Sequence, residues 1–89
     1  MGVVFGGDTS LEQASHEVKV TAPRLEIPNA TIYLRQGSYR SVSVVKSRAQ
    51  AEQVLLAAQK KRADAYLVSF SKWCPNSQEK TGYRECVIP

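Results

Sequence analysis

The chain predicts an α+β domain, a mainly antiparallel sheet of four to five short strands with one principal helix packed on one face. Three observations predict it. Apolar residues alternate with polar ones in short runs between Val18 and Val44, a capped amphipathic helix opens at Ser47, and two further strand patterns close the sequence. At 89 residues there is room for one domain, and 43% hydrophobic with 22% charged residues is enough to build a core, which argues against wholesale disorder.

The opening stretch, "MGVVFGGDTSLEQASHE", mixes glycine, polar and charged residues without a clear period. It reads as a flexible N-terminal arm over residues 1–17, leaving 18–89 as the single α+β domain. It carries neither a basic leader nor a long apolar segment, and no run in the chain approaches the roughly 18 to 20 residues that span a bilayer, so no membrane span is expected.

From Val18 the pattern becomes extended. "VKVTAP" and "RLEIP" alternate, and "ATIYLR" puts Ile32 and Leu34 on one face with Tyr33 and Arg35 on the other. Pro23 and Pro28 limit the first two pieces to short or edge strands, because proline has no N–H for a ladder. Gln36-Gly37-Ser38 reads as a turn into "YRSVSVV", whose valines alternate with serines.

Ser47-x-x-Gln50 is a capping box that opens the helix. Ala51, Val54, Leu55 and Ala58 then form one apolar stripe, with Arg48, Gln53, Lys60 and Lys61 pointing elsewhere. Lys60, Lys61 and Arg62 lie in the last turn, where cations complement the carbonyl end of the helix, and that placement accounts for the basic run without a ligand. "ADAYLVSFSKW" is apolar on both faces, as a central strand would be. "CPNSQEKTG" reads as a loop, and "YRECVI" as a last strand facing the previous one across it.

Cys74 and Cys86 flank that loop, where a hairpin would bring them together. A disulfide ranks first, reduced thiols second, and half a metal site last, because no C-x-x-C pair exists and the only histidine, His16, lies far off. No cofactor or metal is expected.

Catalysis finds little to work with. No base is placed for a nucleophilic triad, no carboxylate pair is signalled in an apolar pocket, and the glycines form no phosphate loop, so the chain is read as a non-enzyme. A net charge of +4 instead favours an anionic partner such as nucleic acid, lipid or an acidic wall polymer. Tyr33, Tyr39, Tyr66, Phe70, Trp73 and Tyr83 fall on or beside strands, interleaved with Arg35, Arg40, Lys72 and Arg84. Aromatics beside cations on a sheet can stack bases or sugars. Four of the six are expected in the core, and Trp73, beside the cysteine, is the one expected to be exposed.

The block "SVSVVKSRAQAEQVLLAAQKKRADAYLV", closed by "GYRECV", resembles the first part of a SPOR domain (sporulation-related repeat), the bacterial peptidoglycan-binding module of cell-division and envelope proteins. Ser47, Ala51 and Glu52 match the family's helix opening, Asp64 to Val68 its "D-A-Y-V-V" strand, and Tyr83-Arg84 its "Y-R-V" strand. The likeness covers roughly residues 41–88 and leaves the family's second helix and fourth strand unmatched. It therefore expects the sheet to be completed by strands from Val18 to Arg35, or by elements shared between two chains.

The resemblance implies a periplasmic or otherwise exported, non-enzymatic domain that grips glycan strands lacking stem peptides. It makes Ser47, Gln50, Tyr83 and Arg84 candidate ligand-binding residues, joined by Trp73 on the aromatic argument. An oxidising envelope would suit a Cys74–Cys86 disulfide, whereas reduced cysteines would point to the cytoplasm. The other readings are a ferredoxin-like domain with the same periodicity, a module that binds an envelope protein or forms a homodimer through a sheet edge, and, ranked below these, a nucleic-acid binder.

Overall fold

In a computed structural model, which describes residues 1–87, six strands form one sheet in the order β4-β1-β3-β2-β6-β5. They are β1 (Gly2–Asp8), β2 (Ala30–Arg35), β3 (Ser38–Val44), β4 (Tyr66–Val68), β5 (Asn76–Lys80) and β6 (Tyr83–Val87). All pairings are antiparallel except that of β2 with β6. The helices are α1 (Leu11–His16), α2 (Ala22–Arg24), α3 (Arg48–Gln59) and α4 (Phe70–Trp73), and a π-helical turn, Glu17–Thr21, joins α1 to α2.

Up to β4 the chain therefore runs strand, helix, strand, strand, helix, strand, with the sheet order β4-β1-β3-β2. That is two interlocked split β-α-β units, a ferredoxin-like arrangement. The β5–β6 hairpin extends it beyond β2. The α+β class and largely antiparallel sheet are as the sequence predicts, with six strands in place of four to five, and one chain supplies all of them. The helix that the SPOR likeness set first in order, α3, is the second of the two long helical segments.

The largest correction concerns residues 1–17, which form no arm. Val3, Val4 and Phe5 are 0, 2 and 1% exposed, and β1 lies between β4 and β3. The register slips between Val4 and Gly6, a β-bulge that leaves Phe5 without a partner. The bulge turns both Phe5 and Gly6 toward the helices: Phe5 fills the core, and Gly6 leaves space for the Glu17 carboxylate above Ser41.

"VKVTAP" and the residues up to Arg24 are helical rather than extended. Ser10 caps α1 by accepting from the Gln13 amide, and Leu11, Ala14, Val18, Ala22 and Leu25 recur at helical spacing. Pro23 is accommodated because the turn before it is wide: the Ala22 amide donates to Glu17 five residues back. A proline ring clashes with the carbonyl four residues earlier, here Lys19, which lies inside the widened turn.

β2 and β3 meet through Gln36 and Gly37, both at positive φ (52° and 79°), the conformation that a tight hairpin needs. Ser47 accepts from the Gln50 amide at 3.2 Å and starts α3 where the sequence places it. Ala51, Val54 and Ala58 are buried against Val3, Phe5 and Ala65, with Leu55 half-buried beside them, while Leu56 faces out at 66% exposure. This core lies between the sheet and the long helices.

A second core occupies the opposite face of the sheet, where Val4, Tyr33, Val42 and Cys74 are buried beneath Phe70, Trp73 and Cys86. The expected long central strand after Ala63 is in fact short and at an edge. Only Tyr66–Val68 pair, with Val4, Val3 and Gly2, and the chain then winds into α4 and crosses under the sheet. The expected loop from Cys74 contains β5, and "YRECV" pairs with β5 and β2 at the far end of the sheet from β4. Cys74 and Cys86 form a disulfide, Cα atoms 5.4 Å apart, that fastens the hairpin to the second core. No described helix is long and apolar enough to cross a membrane.

Candidate functional site

The face of the sheet turned away from α1 and α3 carries a transverse row of side chains. Register places Arg40 of β3 opposite Tyr33 of β2, Tyr33 opposite Arg84 of β6, and Arg84 opposite Glu79 of β5. Directly paired residues project from the same side, so two guanidinium groups flank one phenol. Gly7 sits across from Arg40, and a β-carbon there would lie 3.1 Å from Arg40 Nη1, so the glycine lets the arginine lie down over β1.

Two of the three arginines on this face, Arg84 and Arg35, are held by hydrogen bonds. Arg84 Nε donates to Ser77 Oγ at 2.8 Å, which anchors it along the hairpin. Arg35 Nε donates to the Trp73 carbonyl at 2.8 Å, and its guanidinium carbon stands 5.2 Å from the centre of the Trp73 ring. That is a cation–π contact made rigid by a charge-assisted hydrogen bond. Tyr33 meets Phe70 edge to face at 5.2 Å and Trp73 at 6.1 Å. Burial raises the Tyr33 phenol above its ordinary value, and the positive charge of Arg84 partly opposes this.

The five candidate ligand-binding residues do not converge. Ser47 and Gln50 sit at the start of α3, on the other side of the sheet, where Ser47 is occupied as a helix cap and Gln50 lines a shallow groove with Leu25 and Pro28. Tyr83 also faces the helix side, packed against Tyr39 at 5.2 Å with the rings nearly perpendicular. Only Arg84 and Trp73 share the open face, and Trp73 is half-buried. The most exposed aromatic is instead Tyr66, at 42%, on the edge strand.

Arg35, Arg40 and Tyr33 complete this surface; the alternation in "ATIYLR" already put Tyr33 and Arg35 on one side, and the register of β2 with β3 adds Arg40. What single-strand periodicity cannot give is the cross-strand register that aligns them with Arg84. A second polar cluster, at the junction of β1, α1 and the end of α3, includes Asp8, His16, Glu17 and Arg62. No group of three or more His, Cys, Asp or Glu among the described residues is arranged to hold a metal ion. No protein-family model, curated protein or solved structure matches this chain.

Proposed function

We propose that the chain is a non-enzymatic glycan-binding module of a bacterial cell envelope, and that it reads its ligand with the open face of the sheet. The observation that carries this reading is the Arg40–Tyr33–Arg84 row beside the Arg35–Trp73 pair. The half-buried Trp73 ring, backed by the buried Tyr33, gives the apolar part of a sugar a place to pack, and the half-buried guanidinium groups of Arg40 and Arg84 donate to hydroxyl, acetamido and carboxylate oxygens around it. The disulfide is compatible with an oxidising, exported location, and the net charge of +4 suits an acidic wall polymer. Ser47, Gln50 and Tyr83 have no part in this surface.

Pull-down with peptidoglycan sacculi before and after amidase treatment tests the proposal. Retention should rise once stem peptides are removed, and Arg84→Ala should weaken it about tenfold, the scale of one charged hydrogen bond. Equal retention on both materials, or none on either, removes the reading.

A further inference from the structure

A cleft of about 340 Å³ opens on the helix side of the molecule, away from the glycan face, lined by Asp8, Gln13, His16, Glu17, Thr21, Lys61 and Arg62. Its floor is made by two irregular pieces of backbone. The bulge in β1 bends the strand just before Asp8, and the π-helical turn begins at Glu17, so both carboxylates arrive through local departures from regular structure. Such departures re-aim side chains and recur at functional sites.

Glu17 is 7% exposed. Arg62 Nη2 donates to its Oε1, whereas its Oε2 is buried and has no hydrogen-bond partner. Asp8 Oδ2, in the same cleft, is likewise buried and unpartnered. A buried carboxylate oxygen without a donor costs free energy that a well-packed fold ordinarily avoids. Gly6 gives the Glu17 carboxylate room to lie against the strand, since a β-carbon there would stand 3.3 Å from Oε2.

The opposite charge is supplied by Lys61 and Arg62, which follow α3 and line the same cleft. Two carboxylates and two cations leave the site neutral; Asp8 Oδ2 and Glu17 Oε2 lack donors, the Ser41 hydroxyl beside Glu17 is buried and unpartnered too, and the exposed Lys61 has no ion pair among the described residues. Gln13, His16 and Lys61 are exposed, so the mouth consists of side chains free to part.

From this pattern we infer a second binding site, for a small zwitterion of the amino-acid or short-peptide class. Its ammonium group is received by Asp8 and Glu17, and its carboxylate by Lys61 and Arg62. A purely anionic ligand would leave both carboxylate oxygens unsatisfied, and a purely cationic one would meet Lys61 and Arg62.

The test is a ¹H–¹⁵N NMR titration of the whole chain with glycylglycine, N-acetylglycylglycine and glycylglycinamide. Glycylglycine should give saturable shifts at the amides of Asp8, His16, Glu17 and Arg62. Either cap should weaken binding at least about tenfold, as should Asp8→Asn and Lys61→Gln, since each removes one charged contact. Both variants leave the Glu17–Arg62 pair in place, and the spectrum itself reports whether they fold. No shifts up to about 20 mM, a range that would still detect millimolar affinity, would overturn the inference, as would equal binding of a capped dipeptide. Failure of sacculus binding with these shifts intact would sink only the glycan reading.

Discussion

At the scale of single residues, Tyr33 connects stability with the binding face. It is 8% exposed, it sits between two arginines, and its phenol holds its proton more tightly in the folded chain than in the unfolded one. The unfolded chain therefore ionises this group first. Its contribution is fully present below about pH 10 and is lost as pH rises from there through the higher folded value. Tyr33→Phe should consequently flatten part of the alkaline loss of stability. Urea midpoints of the two proteins measured from about pH 8 to pH 11 should converge as pH rises, and parallel declines would refute the effect. Gly6 shows how much one absent side chain can set, because the bulge turns it toward Glu17 and Ser41 where any β-carbon would crowd both.

At the scale of elements, the β5–β6 hairpin is the piece least supported by its own sequence. "NSQEK" is polar throughout, four of its five residues are exposed, and its outer edge is unpaired. The disulfide closes a loop of 12 residues and ties the hairpin to the second core, which corresponds to about 3 kcal/mol in the chain-entropy account. Replacing both cysteines with alanine should lower stability by about that amount and speed amide exchange in β5 and β6 well before α3. Uniform acceleration throughout the chain would mean that the hairpin is not a separate unit.

The same contrast explains what the sequence makes legible. α3 is visible because Ser47, the apolar stripe and the basic end all agree, and β2–β3 because alternation meets the Gln36–Gly37 turn. β1 is hidden because three glycines interrupt a strand of seven residues, and its bulge breaks the period of two. The π-helical turn reads as a strand because Val18 and Val20 are β-branched and Pro23 argues against a helix, although Ser10 and Ala14 mark one. β5 has no alternation to detect, because one face of an edge strand is solvated and the other meets a charged row. The cleft residues escape notice for a further reason: Asp8, Glu17 and Arg62 approach one another only through tertiary structure.

For the molecule as a whole, the N-terminal strand decides whether there is a fold. β1 pairs on both sides and places Phe5 in the main core, and Phe5→Ala alone should cost about 3–5 kcal/mol, a large share of the stability of a small domain. Deleting residues 1–9 should abolish the cooperative thermal transition seen by circular dichroism. A truncated chain that melts sharply near the parent temperature would show that the sheet closes without β1.

The pairing of Gly2 with Val44 and of Gly2 with Val68 also fixes an order of events. As the polypeptide leaves a ribosome or an export channel, Val3, Val4 and Phe5 emerge before either strand that flanks them and wait. Their first neighbour arrives with β3 and their second only with β4, so the strand is bare until Val44 has emerged and an open edge until Val68 has. The vulnerable species is thus the half-emerged chain, and a holding chaperone that covers residues 2–5 would protect the molecule at the one stage when its own sheet cannot.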